Sequence, residues 1–378
     1  MRKKNIDKGV YMEKLDLILK EGLTRNASDV HLLVGCPPML RIAKELTPLN
    51  NFGIITFEEQ QEFVKALANN KEEVLDLLKE EKLLDLNYKY ENQRFRVNIS
   101  FSMDVPTCTL RIIKEQLPRF ESLNLPNQVR ELTLKSQGLI LVTGKPGSGK
   151  TTTLSALVDA INESQNKKIM ILENPIEYVH HNKRSIIVQK EIGLFGDCKT
   201  FHIGVKNALR EDCDVLVIGE IRDRETMDAA IEMAETGHLV IGTLHTNSCA
   251  ETIDRIINFY AVEEQQTVKH MISAIIKLIV SQRMLRGMYG NLVMVPEILI
   301  VDEQMSSIIK REKFNNVDIE DAMLTGREKG NCGLVFALAD AVTSGKVSLE
   351  LALNEVDIKN QDMLKKVVAQ GRQRQYYN

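Results

Sequence analysis

The rhythm of apolar and polar positions changes near residue 138. Before it, apolar residues at helical spacing over Met12–Leu23 and Glu58–Leu67 predict two amphipathic helices, and strand-like runs lie at Val30–Val34, Asn92–Phe101 and Thr107–Ile113. From Gly138 onward short apolar runs alternate with helical patterns: Leu139–Thr143, Lys168–Leu172, Val215–Ile218 and Leu239–Thr243. These four lack polar alternation, and strands apolar on both faces belong in a parallel sheet covered by helices on either side. After about Val262 the pattern reads as mainly helical to the polar last stretch, Gly371–Asn378.

The fold class that follows is α/β in two parts. A small α/β domain is expected over residues 1–115, and a doubly wound nucleotide-binding domain with a helical C-terminal part over residues 137–378. Residues 116–136 carry Pro118 and Pro126 among polar residues, the composition of a linker. A length of 378 residues suits two cores.

Composition narrows the function classes. A net charge of −3 gives no field to gather nucleic acid, so no nucleic-acid partner is expected without a local basic patch. The six cysteines are scattered singly with no C-x-x-C pair, and read as reduced thiols. Met1 to Val10 is polar and basic, and no run reaches the ~18 apolar residues that a membrane span requires. A cytoplasmic protein with at most peripheral membrane contact is expected.

One segment carries definite chemistry. Gly144-Lys145-Pro146-Gly147-Ser148-Gly149-Lys150-Thr151 matches G-x-x-x-x-G-K-[ST] between an expected strand and an expected helix. Its glycines let backbone N–H groups turn in around phosphate, Lys150 reaches the β and γ oxygens of ATP, and the Thr151 hydroxyl takes a place on Mg²⁺. The helix beginning at Thr152 adds its positive end.

Hydrolysis also needs a carboxylate to polarise water. Glu220 follows the Val215–Ile218 strand after one glycine, at the carboxyl end where such sheets bind ligands; a surface pair with Arg222 is the plainer alternative. Glu173, after the strand ending at Leu172, is a candidate for Mg²⁺ directly or through water, or a helix cap. His238 and His245 bracket the Leu239–Thr243 strand, and His245 at the ligand end is placed to sense the γ-phosphate; a structural histidine is the alternative for either.

In the first part, strict alternation over Arg94–Phe101 puts Phe95, Val97, Ile99 and Phe101 on one face and the arginines on the other. If Ser102–Val105 turns a hairpin, Arg96 falls opposite Arg111, Val97 opposite Leu110 and Phe95 opposite Ile112. On the residues alone this is a solvated basic face, or a set of arginine fingers for a neighbouring subunit's nucleotide.

Together these segments resemble the secretion and pilus ATPases, most closely the PilT-like retraction ATPases of type IV pili. The resemblance runs through Ala27–Leu32, Pro37–Arg41, Phe95–Asn98, the phosphate loop, Glu173–Glu177, Ala208–Asp212 with Gly219–Asp223, and Thr236–Val240 with Thr243–Thr246. It implies a PAS-like N-terminal domain, a RecA-like P-loop domain and a homohexameric ring driving pilus retraction, with an inner-membrane platform protein as partner at the cytoplasmic face. On the matching positions it implies Glu220 as general base, Glu173 as a magnesium ligand, His238 and His245 as nucleotide sensors, and Arg96 and Arg111 as arginines reaching ATP across the subunit interface. Asn174 stands where the family usually has Asp, and Gly333–Asp340 lacks the family's Gly-Met-x-Thr-x-Asp wording. The rival readings are a pilus assembly or type II secretion ATPase, and a ring subunit that binds ATP without hydrolysing it.

Overall fold

The computed structural model describes residues 2–113, 116–135, 137–313 and 315–376. The chain divides into two compact units, Met1–Glu115 with Glu177–Val179, and Gln116–Ile176 with His180–Asn378.

The first unit runs α1 (Arg2–Thr24), β1 (Asp29–Leu32), β2 (Met39–Ile42), β3 (Glu45–Pro48), α2 (Phe57–Leu67), α3 (Glu72–Glu81), β4 (Leu83–Tyr90), β5 (Gln93–Ser102) and β6 (Val105–Ile112). Its strands form one antiparallel sheet in the order β3-β2-β1-β6-β5-β4. Alternation decides which face is buried: Phe95, Val97, Ile99, Cys108 and Leu110 are fully enclosed with Leu15, Leu19, Phe63 and Leu67 of α1 and α2. Thr56 and Glu59 close a reciprocal capping box that starts α2. The β5–β6 turn, Met103–Asp104, takes positive φ at both residues, the two-residue turn whose twist matches its strands. It fixes the register at Phe95 with Ile112, Arg96 with Arg111 and Val97 with Leu110, as the alternation required.

The second unit runs α4 (Asn127–Lys135), β7 (Gly138–Gly144), α5 (Lys150–Ser164), β8 (Lys168–Glu173), β9 (Ile186–Glu191), α6 (Phe201–Ala208), β10 (Val215–Ile218), α7 (Arg224–Glu235), β11 (Leu239–Leu244), α8 (Cys249–Ile257), α9 (Val262–Ile275), β12 (Ile276–Arg286), β13 (Leu292–Ile300), α10 (Glu303–Ile309), α11 (Asn316–Thr325), α12 (Leu334–Thr343), α13 (Leu349–Leu353) and α14 (Ile358–Tyr376). Its sheet is ordered β13-β12-β7-β11-β10-β8-β9 and is parallel apart from β13. Both faces are covered, which is why β7, β10 and β11 are apolar throughout: Leu139 and Leu141 enter one core, Ile140 and Val142 the other. The mixed α/β class, with an N-terminal sheet unit and C-terminal helices, is the one expected.

Two expectations change. The stretch 116–136, read as a linker, includes α4, and its Phe120, Leu123 and Val129 are buried against the sheet of the second unit. Residues 276–286 and 292–300, read as helical, are two long strands of that sheet. The run Ile-Lys-Leu-Ile-Val from Ile276 is rich in β-branched residues and fills the second edge of β7, where it buries both faces. An apolar run of this length cannot be assigned by periodicity alone.

Candidate nucleotide site

Parallel register brings four strand ends to one edge. Thr143 lies opposite Leu244, and Ile218 lies opposite Gly242 and Leu172, so Gly144, Glu173, Gly219 and His245 emerge together. This is the edge at which such sheets bind ligands.

The phosphate loop leaves β7 and enters α5 at Gly149, an N-cap with φ of 89° and no side chain to offer the first-turn N–H groups. Gly144 is required at the strand exit: with φ of 142°, a Cβ there would stand 2.4 Å from the Gln282 carbonyl oxygen and the Ser148 Oγ. Gly147 and Gly149 also take positive φ, and Ser148 is buried between them. The Lys150 ammonium donates to the Gly144 carbonyl at 2.8 Å and approaches the Lys145 carbonyl at 3.3 Å. Thr151 and Thr152 occupy the first turn of α5.

Across from the loop, Glu220 takes part in two contacts. Its Oε2 lies 2.6 Å from an Arg222 nitrogen and its Oε1 lies 2.8 Å from His245 Nε2. The pair with Arg222, the plain alternative, therefore exists and does not remove Glu220 from the site. His245 Nδ1 stands 3.3 Å from Lys150 Nζ. An ammonium has only donors, so Nδ1 accepts and Nε2 carries the proton that it donates to Glu220. Burial works to raise the Glu220 carboxyl, but the Arg222 hydrogen bond, the neighbouring His245 imidazole and the charges of Arg222 and Lys150 outweigh it and hold it below the ordinary range. Gly219 permits the approach of β10 to β8, since a Cβ there would meet the Leu172 carbonyl oxygen at 2.9 Å and the Glu173 Cα at 3.3 Å.

Glu173 is 6% exposed, and its Oε2 accepts from Gln189 Nε2 at 3.2 Å. Thr151 and Glu173 offer hard oxygen donors, the donor chemistry that suits Mg²⁺ beside phosphate. His238 is not brought to this edge. It precedes β11 at the opposite end of a six-residue strand, and its Nδ1 lies within hydrogen-bond reach of the Met233 carbonyl and the Thr236 hydroxyl. The structure thus places His238 away from its own subunit's phosphate loop, where it fastens the turn between α7 and β11.

On the first unit, Arg41, Asp29, Arg111 and Arg96 form a row across neighbouring strands. Arg111 Nε donates to Asp29 at 2.9 Å yet remains 66% exposed, so the pair contributes less than about 1 kcal/mol. Burial pushes the Asp29 carboxyl up, and hydrogen bonds from Ser28 and Arg111 outweigh it to hold it low. Arg96 lies 3.5 Å from Asp85 and is 41% exposed.

Sequence reasoning missed the contribution of β12. Gln282 donates to the Thr153 hydroxyl at 2.6 Å behind the loop, and Arg283 bonds the Glu355 carbonyl at 2.7 Å, its carboxylate at 3.0 Å and the Asn247 carbonyl at 3.4 Å. Reading 276–286 as helix hid both. The feature that identifies β12 as a strand is its parallel pairing on the second edge of β7, which belongs to the tertiary structure.

Comparison with known proteins adds independent findings. The family described as type II/IV secretion system protein matches residues 78–329. The type IV pilus retractation ATPase PilT of Pseudomonas aeruginosa is 33% identical over 337 residues, 88% of this chain and 95% of its own. A twitching motility protein of Neisseria gonorrhoeae is 34% identical over 319 residues, 84% of this chain and 83% of its own. Among solved structures, the crystal structure of the pilus retraction motor PilT with bound ADP superposes with a TM-score of 0.81 at 35% identity, covering 92% of this chain and 98% of that one.

Proposed function

Because the chain belongs to the type II/IV secretion system protein family, we propose that it is a motor ATPase that hydrolyses Mg²⁺-ATP in a homohexameric ring and powers type IV pilus retraction. The observation that carries this reading is the contact chain Lys150–His245–Glu220 at the mouth of the phosphate loop. It sets a cation for the β and γ phosphates, an imidazole and an ionised carboxylate side by side.

In this mechanism the loop's N–H groups and Lys150 hold the phosphates, and Thr151 and Glu173 hold the metal, directly or through water. Glu220 accepts a hydrogen bond from the attacking water and aligns it with the γ-phosphorus; the P–O bond to the β-phosphate breaks, ADP leaves, and the water's proton passes to the carboxylate or to the departing phosphate. His245, with its proton on Nε2, fixes Glu220 and reports the phosphate through Lys150. Arg96 and Arg111, on an exposed sheet face of a unit with no phosphate loop, serve the neighbouring subunit's nucleotide as arginine fingers. Among the described residues no helix is long and apolar enough to cross a membrane. The ring works at the cytoplasmic face of the inner membrane against a platform protein there.

Steady-state ATPase rate against protein concentration, with oligomer size recorded in the same samples, tests this. Turnover that appears as hexamers form supports the motor. Assembly and ATP binding without turnover would make the protein a nucleotide-gated structural subunit.

A further inference from the structure

A cavity of about 280 Å³ lies in the C-terminal part of the second unit. It is bounded by the start of α8, by α11, by the start of α12 and by the segment joining α13 to α14. Met323, Leu334, Phe336 and Val356 make apolar walls, and Glu320 and Asp357 line it with exposed carboxylates. A drug-sized site spans roughly 300–1,000 Å³, so this space suits one long side chain rather than a whole metabolite.

Glu297, on β13, reaches this cavity from the interior. It is 4% exposed; one carboxylate oxygen accepts from the Cys249 N–H at 3.3 Å, and the other has no hydrogen-bond partner among the described residues. A half-partnered buried carboxylate costs on the order of several kcal/mol. Arg283 is the one cation among the described lining residues, and it is engaged by Glu355 and Asn247. What the cavity lacks is a cationic donor on an apolar stem.

We propose that this cavity is a socket for an arginine side chain carried between apolar residues on a segment of a partner protein. The guanidinium enters to meet the free oxygen of Glu297, with Glu320 and Asp357 around it, and its methylene stem lies along Phe336 and Met323. Apolar neighbours on the partner segment find apolar surface outside: Leu324 is 36% exposed, and Ile358, next to Asp357, is 85% exposed. The socket stands independently of the hydrolysis reading. It shares a wall with the loop after His245, because Arg283 joins Asn247 to Glu355.

The titration of Glu297 gives a second handle. Burial pushes its carboxyl up to about 7, against the Cys249 N–H and Arg283, with Glu320 adding to the rise. The charged and titratable groups around it are Cys249 on α8, Arg283 on β12, Glu320 on α11, Cys332 ahead of α12, and Glu355 and Asp357 before α14. Docking a cation expels the Glu297 proton, so affinity rises with pH through neutrality.

The test uses the full chain and two labelled, capped probe peptides, Ile-Leu-Arg-Leu-Ile and the same peptide with glutamine for arginine, followed by fluorescence anisotropy. The arginine peptide is expected to bind the wild type about ten-fold more tightly than the glutamine peptide, a gap of about 1.4 kcal/mol. Its affinity should rise between pH about 6 and about 8, and the preference should collapse in Glu297→Gln with its circular dichroism unchanged. Glu320→Gln, at the surface, should weaken the preference partially. Equal binding of the two peptides by the wild type, or a preference that survives Glu297→Gln, overturns the socket.

Discussion

His245 Nε2 lies 2.8 Å from the Oε1 of Glu220, and the same imidazole faces Lys150 through its other nitrogen. A strand end, the loop after the next strand and the start of a helix are thereby coupled through one ring. His245→Ala removes that link while leaving Lys150 and Glu220 in place. Its kcat should fall about ten- to hundred-fold with ATP affinity changed less than about three-fold, since orientation rather than ground-state binding is lost. Steady-state kinetics with a separate ATP titration checks this.

The arginine row makes a prediction that a solvated basic face does not. Arg96→Ala should keep ATP binding and assembly and lose roughly 10³-fold in hydrolysis, in the range of a missing arginine finger. Mixed rings of Arg96→Ala and Glu220→Gln subunits should recover activity, because some interfaces then pair an intact Arg96 with an intact Glu220. Phosphate release across a series of mixing ratios reads this directly, and mixtures no more active than either variant alone would exclude the finger.

Gly219 is held to its identity by the Leu172 carbonyl at 2.9 Å from any Cβ. Gly219→Ala should push the end of β10 away from β8, costing about 1–3 kcal/mol in stability. Because Glu220 is the next residue, kcat should fall with it. Thermal melting and ATPase rate on the same preparation give both numbers.

Glu297 predicts a pH dependence of stability. Folded, its carboxyl is pushed up to about 7; unfolded, it titrates near ~4.3. Between these values the folded state holds the extra proton, so stability falls as pH rises and the loss is complete above about 7, on the order of 3 kcal/mol. Glu297→Gln cannot titrate. Its melting temperature relative to the wild type should therefore rise from pH about 4.5 to about 8, and a constant difference across that range would contradict the assignment.

Legibility in the sequence followed how local each signal was. The phosphate loop needs a fixed spacing and a strand and helix on either side, all within one stretch, and Glu220 needed only a buried strand and one glycine before it. The Arg96–Arg111 register followed from alternation and a two-residue turn. Strands β12 and β13 were not legible because their assignment depends on an open edge of β7, a fact of the tertiary structure. With them went Gln282, Arg283 and Glu297. The two ends of the Leu239–Thr243 strand were legible too, with His245 at the ligand end and His238 at the other, and the parallel register places them so.

The most direct measurement is phosphate release by the assembled wild type and by Glu220→Gln at saturating Mg²⁺-ATP, with ATP affinity measured on the same samples. The account predicts that Glu220→Gln binds ATP as the wild type does and forms the same oligomer, while kcat falls by about 10²–10⁴-fold. Turnover within about three-fold of wild type would contradict it, because Glu220 is the carboxylate that His245 holds beside Lys150.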